Sequence, residues 1–145
     1  MKVNVKKLNE NAILPVYSTE FSAGADLHAL IDEPVTIKKG ETKLIKTGLS
    51  MEIPVAYVGL IYARSGLATK KGLAPANKVG VIDSDYRGEI MVALYNQSDC
   101  DQVVENGERI AQMVIAPFVQ ADFCVQDELS DTVRGTGGFG STGTK

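Results

Sequence analysis

Hydrophobic and polar residues alternate along most of this chain. Val3 and Val5 alternate with Asn4 and Lys6, and Val35 and Ile37 flank Thr36. Leu49, Met51 and Ile53 alternate with Ser50 and Glu52, as Ile90, Val92 and Leu94 do with Met91, Ala93 and Tyr95. Arg109 to Ala116 is an apolar run closed by Pro117. A period of two sends successive side chains to opposite faces, so these segments predict half-buried or buried strands. Turn signals separate them at Glu33-Pro34, Lys39-Gly40, Gly48, Ile53-Pro54, Gly88 and Asn106-Gly107. Many short strands with frequent turns predict an all-β sandwich or barrel. No long segment repeats every 3.6 residues. One helical turn is expected, capped by Ser65, running through Leu67 to Lys70 and ended by Gly72. No internal repeat or interdomain linker interrupts the 145 residues, so one domain is expected.

Composition sharpens that picture at one end. Five of the 14 glycines, at 135, 137, 138, 140 and 143, crowd into the last eleven residues. From Ser130 onward only Val133 and Phe139 are large and apolar, so this terminus should be mobile unless a ligand or partner holds it. The apolar runs Val55 to Ala63 and Met113 to Val119 fall short of the ~20 residues a membrane helix needs. The N-terminus lacks the apolar segment of a secretory signal. Cys100 and Cys124 sit outside any CxxC, which predicts two reduced thiols and a cytoplasmic location. A net charge of −3 argues against polymeric nucleic acid, though not against a single nucleotide.

Common site types fail by absence. His28 is the only histidine, so no two-histidine metal site exists, and it reads as a strand residue with ordinary hydrogen bonds. Neither GxSxG nor GxxxxGK[ST] occurs. The tail holds a literal GxGxxG, Gly135 to Gly140, but with no room for a helix after it a dinucleotide fold is excluded. Its glycines read either as a disordered tail or as a flap whose backbone N–H groups approach phosphates. In the second reading Arg134, Ser141 and Thr142 add donors and Phe139 can stack on a base. Arg64-Ser65-Gly66 follows an apolar strand and suits either an anion or a surface turn. Gly80 and Gly88 bracket a segment read as a hairpin. If extended, it would set Asp83, Asp85 and Arg87 on one face. Asp83 could activate a water, or the aspartates could be solvated turn residues. Local spacing alone leaves both readings open.

Taken together, five segments in order resemble the homotrimeric all-β dUTPases. They are Ser22 to Ala29 (SAGADLHA), Ala63 to Ala68 (ARSGLA), Gly80 to Ile90 (GVIDSDYRGEI), Gly107 to Met113 (GERIAQM) and Arg134 to Gly143 (RGTGGFGSTG). Ala63 stands where the second motif commonly has proline. The resemblance implies a distorted jelly-roll-like β-barrel (a β-clip) over residues 1–130, with residues 131–145 as an arm closing on substrate.

It also implies roles. Asp83 would act as general base on the attacking water. Tyr86 would lie against the deoxyribose, and the backbone of Gly80, Val81 and Ile82 would read uracil with the Asn77 amide. Arg64, Ser65, Gly66 and Gln112 would bind phosphates. Phe139 would close over uracil, while Arg134, Gly140, Ser141 and Thr142 grip the outer phosphate. Asp26 would support the site, and Arg109 would organise it through an internal ion pair.

The implied reaction turns dUTP into dUMP and pyrophosphate, keeping uracil out of DNA and supplying dUMP for thymidylate synthesis. Mg²⁺ would ride on the triphosphate rather than on protein ligands. The working unit would be a homotrimer with shared sites. The alternatives are a dCTP deaminase of the same fold and a non-catalytic interaction module.

Overall fold

The computed structural model describes residues 1–138 of the chain. Its first half carries β1 (Asn4–Lys7), β2 (Val16–Tyr17), β3 (Ala25–His28), β4 (Val35–Ile37), β5 (Thr42–Lys46), β6 (Leu49–Glu52) and β7 (Tyr57–Tyr62). Then follow α1 (Ser65–Lys71), β8 (Leu73–Pro75), β9 (Gly80–Ile82), β10 (Met91–Asn96), β11 (Gln102–Val104) and β12 (Arg109–Pro117). The fold is all-β and jelly-roll-like, as expected. Every recorded strand pair is antiparallel.

The alternation read from sequence becomes burial. In β10, Val92 and Leu94 point into the core while Met91, Ala93 and Tyr95 are only partly covered. Leu27, Ile45, Leu49, Leu73, Ile90 and Ile110 complete the fully buried apolar centre. Truncating one such leucine to alanine removes about 2–5 kcal/mol of stability. The predicted glycine turns are real. Gly40, Gly48 and Gly107 adopt φ of +74°, +69° and +76°, a region that glycine enters without a Cβ penalty.

One buried polar residue joins two strands and the loop that follows β10. The Asn96 amide nitrogen donates to the Ile37 and Cys100 carbonyls at 2.9 and 2.8 Å, and its Oδ1 accepts from Ser98. A buried amide satisfied this way costs little and fixes its neighbours.

Three local expectations are corrected. The N-cap of α1 is Arg64, with no side-chain capping bond, so Ser65 is the first helical residue rather than the cap. Gly72 does end the helix, in the left-handed conformation at φ 64°. The segment Gly80 to Gly88 is not a hairpin, because β9 pairs with β7 and a tight turn follows at Asp83. Asp83, Asp85 and Arg87 therefore do not lie along one extended face.

Beyond Pro117 the described chain carries no strand, and Phe123, Val125 and Leu129 are exposed. Cys100 and Cys124 are both free thiols. Among the described residues no helix is long and apolar enough to cross a membrane.

Candidate functional site

The largest sheet runs β2-β3-β12-β7-β9. Its registry sets two candidate residues side by side. Gln112 on β12 faces Asp26 on β3 across one edge and Tyr62 on β7 across the other. β7 ends at Tyr62, and two residues further on Arg64 turns back over this row.

Asp26 is the hub. It is buried, with 5% of its surface exposed. The Arg64 Nε donates to Oδ1 at 2.6 Å, and an Arg64 Nη donates to Oδ2 at 3.4 Å, making a fork. Arg109 donates to Oδ2 at 3.3 Å and Ser18 Oγ to the same oxygen at 3.1 Å. A register shift between Arg109 and Ala111 lets Arg109, opposite His28, reach back to Asp26. Asp26 is thus the acid partner that the resemblance demanded for Arg109. Burial alone would push its carboxyl up. The hydrogen bonds from Arg64 and Ser18, with the charges of Arg64 and Arg109, outweigh burial and hold it below the usual carboxylate range.

Around this hub lies a cleft of about 340 Å³ lined by Ser18, Ser22, Gly24, Arg64, Ser65 and Gln112, among others. Gln112 holds the Ala63 carbonyl at 2.9 Å through Nε2. Its side-chain oxygen lies against the place where a Cβ on Gly24 would sit, so a larger residue there would make the amide shift. Arg64 gives one edge to Asp26 and keeps its remaining N–H groups for a ligand. A hydroxyl, an amide and two guanidinium groups around a single carboxylate suit an anion rich in oxygen acceptors.

His28 does not make the ordinary hydrogen bonds expected of it. Its Nδ1 is buried and has no partner among the described residues. Burial, reinforced by Arg109 and Arg64, outweighs the attraction of Asp26 and lowers its pKa below 6.5.

The third motif is built differently. Gly80 is buried against Ile61, and a Cβ there would meet Ile61 Cβ at 3.1 Å and Asn77 Nδ2 at 3.5 Å. Asn77 therefore lies beside the β9 backbone. The Tyr86 hydroxyl donates to the Glu89 carbonyl at 3.0 Å, and Arg87 donates to the Ser84 and Tyr86 carbonyls. Ser50 Oγ ties the Arg87 carbonyl to β6. Asp83 stands at the exposed end of this turn, and its carboxylate joins none of the bonds that hold it.

Within one chain these two groups do not meet. β9 runs against β7 with Gly80 opposite Ile61 and Ile82 opposite Gly59. Asp83 continues away from Arg64, about six strand residues or roughly 20 Å along the sheet. Arg134 is also apart. It is exposed, and its Nε donates to the Gly137 carbonyl at 2.9 Å in its own turn. Phe139, Gly140, Ser141 and Thr142 lie outside the described residues.

Sequence reasoning missed Ser18 as a partner of Asp26. No signal marks it, since it acts only through the β2–β3 pairing. Among the described residues no three His, Cys, Asp or Glu side chains gather as a metal cage. Asp26 is already committed to two arginines, so these residues do not fit a protein-held cation.

The dUTPase family model matches residues 10–143. The deoxyuridine 5′-triphosphate nucleotidohydrolase of Nautilia profundicola is 55% identical over 143 residues, 99% of each chain. The Staphylococcus bacteriophage 80alpha dUTPase, solved with dUpNHpp, has a TM-score of 0.85 at 30% identity and 98% coverage of both chains. A mutant dUTPase of S. aureus phage phi11, described for the coordination of a structural Mg(II) ion, has a TM-score of 0.77 at 27% identity. That match covers 88% of this chain and 98% of the phage protein.

Proposed function

This chain belongs to the dUTPase family, and from that membership we propose how its own residues hydrolyse dUTP to dUMP and pyrophosphate. The observation that carries the reading is the Asp26 cleft, where Arg64, Arg109, Ser65 and Gln112 gather donors around one buried carboxylate. A chain of net charge −3 must offset a polyphosphate locally, and this cleft is equipped to do so.

In this reading Arg64, Ser65, Gly66 and Gln112 bind the phosphate chain. Asp26 holds Arg64 and Arg109 in place. Asp83 takes a proton from a water, whose oxygen bonds to the α-phosphorus as the bond to the bridging oxygen breaks and pyrophosphate leaves. An exposed carboxylate with no partner among the described residues suits that task, because none of them competes with the water. The backbone of Gly80, Val81 and Ile82, with Asn77, reads the uracil edge, and Tyr86 packs on the deoxyribose. Phe139 covers the base, and Arg134, Gly140, Ser141 and Thr142 hold the outer phosphate, so residues 131–145 act as an arm of the same domain. Mg²⁺ belongs to the substrate, carried by phosphate oxygens.

The roughly 20 Å between Asp83 and Arg64 supports a homotrimer in which each site draws on more than one copy. The free, exposed thiols Cys100 and Cys124 support a cytoplasmic location. The test is pyrophosphate release from dUTP, dTTP, dCTP and UTP in parallel. Release from dUTP alone is expected. Equal release from UTP or dTTP would remove the sugar or base reading, and ammonia from dCTP would favour a deaminase.

A further inference from the structure

We infer that Lys70 is a phosphate-binding residue of the same site, an inference that rests on the dUTP-hydrolysis reading. A second cleft of about 500 Å³ adjoins the first through Arg64 and Ser65, and Gly66, Lys70, Lys71, Glu108 and Arg109 line it too. Three of its four cations are occupied. Arg64 and Arg109 share Asp26, and Lys71 pairs with Glu108 at 2.6 Å. Among the described residues Lys70 has no acid partner.

Helix geometry directs it toward the phosphate groups. Gly66 and Lys70 are four apart on α1, so they stack on one face. Helical side chains lean toward the N-terminus of their helix, so the flexible Lys70 stem can swing toward Gly66 and Ser65. That path is clear, since a Cβ at Gly66 would meet nothing within 4 Å. The ammonium is a compact charge on a flexible stem, able to follow a phosphate chain without fixed geometry. The two clefts together hold four cations against Asp26 and Glu108, so a polyanion is the ligand the charge favours.

The test compares Lys70→Met, which keeps the stem and removes the charge, with Lys70→Arg and with Lys38→Met, an exposed lysine outside both clefts. At low salt Lys70→Met should raise KM for dUTP roughly 5- to 20-fold with kcat within about two-fold, and the gap should shrink near ~0.5 M salt. Lys70→Arg should restore KM, and Lys38→Met should leave it unchanged. An unchanged KM for Lys70→Met, or an equal rise for Lys38→Met, overturns the inference. Calorimetric titration with inorganic tripolyphosphate separates the two readings. Weaker binding by Lys70→Met in a protein that does not cleave dUTP would sustain Lys70 and sink the reaction, whereas unaltered binding would sink Lys70.

Discussion

The Asp26 cluster and the Asp83 turn are both candidate parts of one site, yet they are built on opposite plans. Asp26 is buried, forked to Arg64, tied to Arg109 and bonded by Ser18. Asp83 is exposed and, among the described residues, without a partner, on a turn whose backbone is held by Tyr86, Arg87 and Ser50. The first group is finished within one chain and serves to fix guanidinium groups before substrate arrives. The second has a fixed backbone and a free carboxylate, as a base waiting for water and phosphate would have. A carboxylate enclosed by arginines is a poor base, and one without partners is a poor anchor. In the proposed reading, environment therefore assigns the two acids to different work.

Substitutions can break this contrast. The largest effect is expected at the free acid. Asp83→Asn should lower kcat by roughly 10²–10⁴-fold while nucleotide binding and the melting curve stay as in the wild type. Retained turnover would end its role as base. Asp26→Asn should behave in the reverse sense, with stability as its first casualty. It leaves two arginines without their carboxylate, and a loss of about 3 kcal/mol in urea unfolding is expected, at the low end for a broken buried pair because the arginines reach solvent. Unfolding equal to wild type would mean that the cluster is not a support.

The smallest effect concerns His28 and appears only with pH. Its pKa is lowered on folding, so the unfolded chain takes the proton first as pH falls below 6.5. Stability should therefore decline with acidification from about pH 6.5 until the folded form is protonated as well. His28→Gln should flatten that slope. The Asp26 contribution lies in a separate window, complete above its ordinary value of 3.8 and lost as pH falls below it. A slope unchanged in His28→Gln would show that the imidazole is not what titrates.

Much of the fold was legible because strands that are buried on one face must alternate. The β10 sequence and the glycine turns at 40, 48 and 107 carried that rule into structure unchanged. What stayed hidden was pairing over distance. Arg109 and Asp26 are 83 residues apart, and only the β3–β12 register with its shift brings them together. The Gly80–Gly88 segment read as a hairpin because its glycines are local, whereas the partner of β9 is β7, some twenty residues earlier in sequence. Ser65 looked like a cap because serine commonly is one. The chain instead enters the helix from an extended Arg64, whose side chain is drawn to Asp26. The residue types of the site could be read from its motifs. Their division between an anchored acid and a free one required three dimensions.

In the proposed reading, Asp83 and Arg64 of one site come from different copies of the chain. Co-refolding two inactive variants, Asp83→Asn and Arg64→Gln, tests it most directly. If sites are shared, random assortment regenerates intact ones, and pyrophosphate release from dUTP should return to about a quarter of the wild-type rate. If both residues serve the same site from one chain, no mixture contains an intact site, and the co-refolded sample will stay as inactive as its parents.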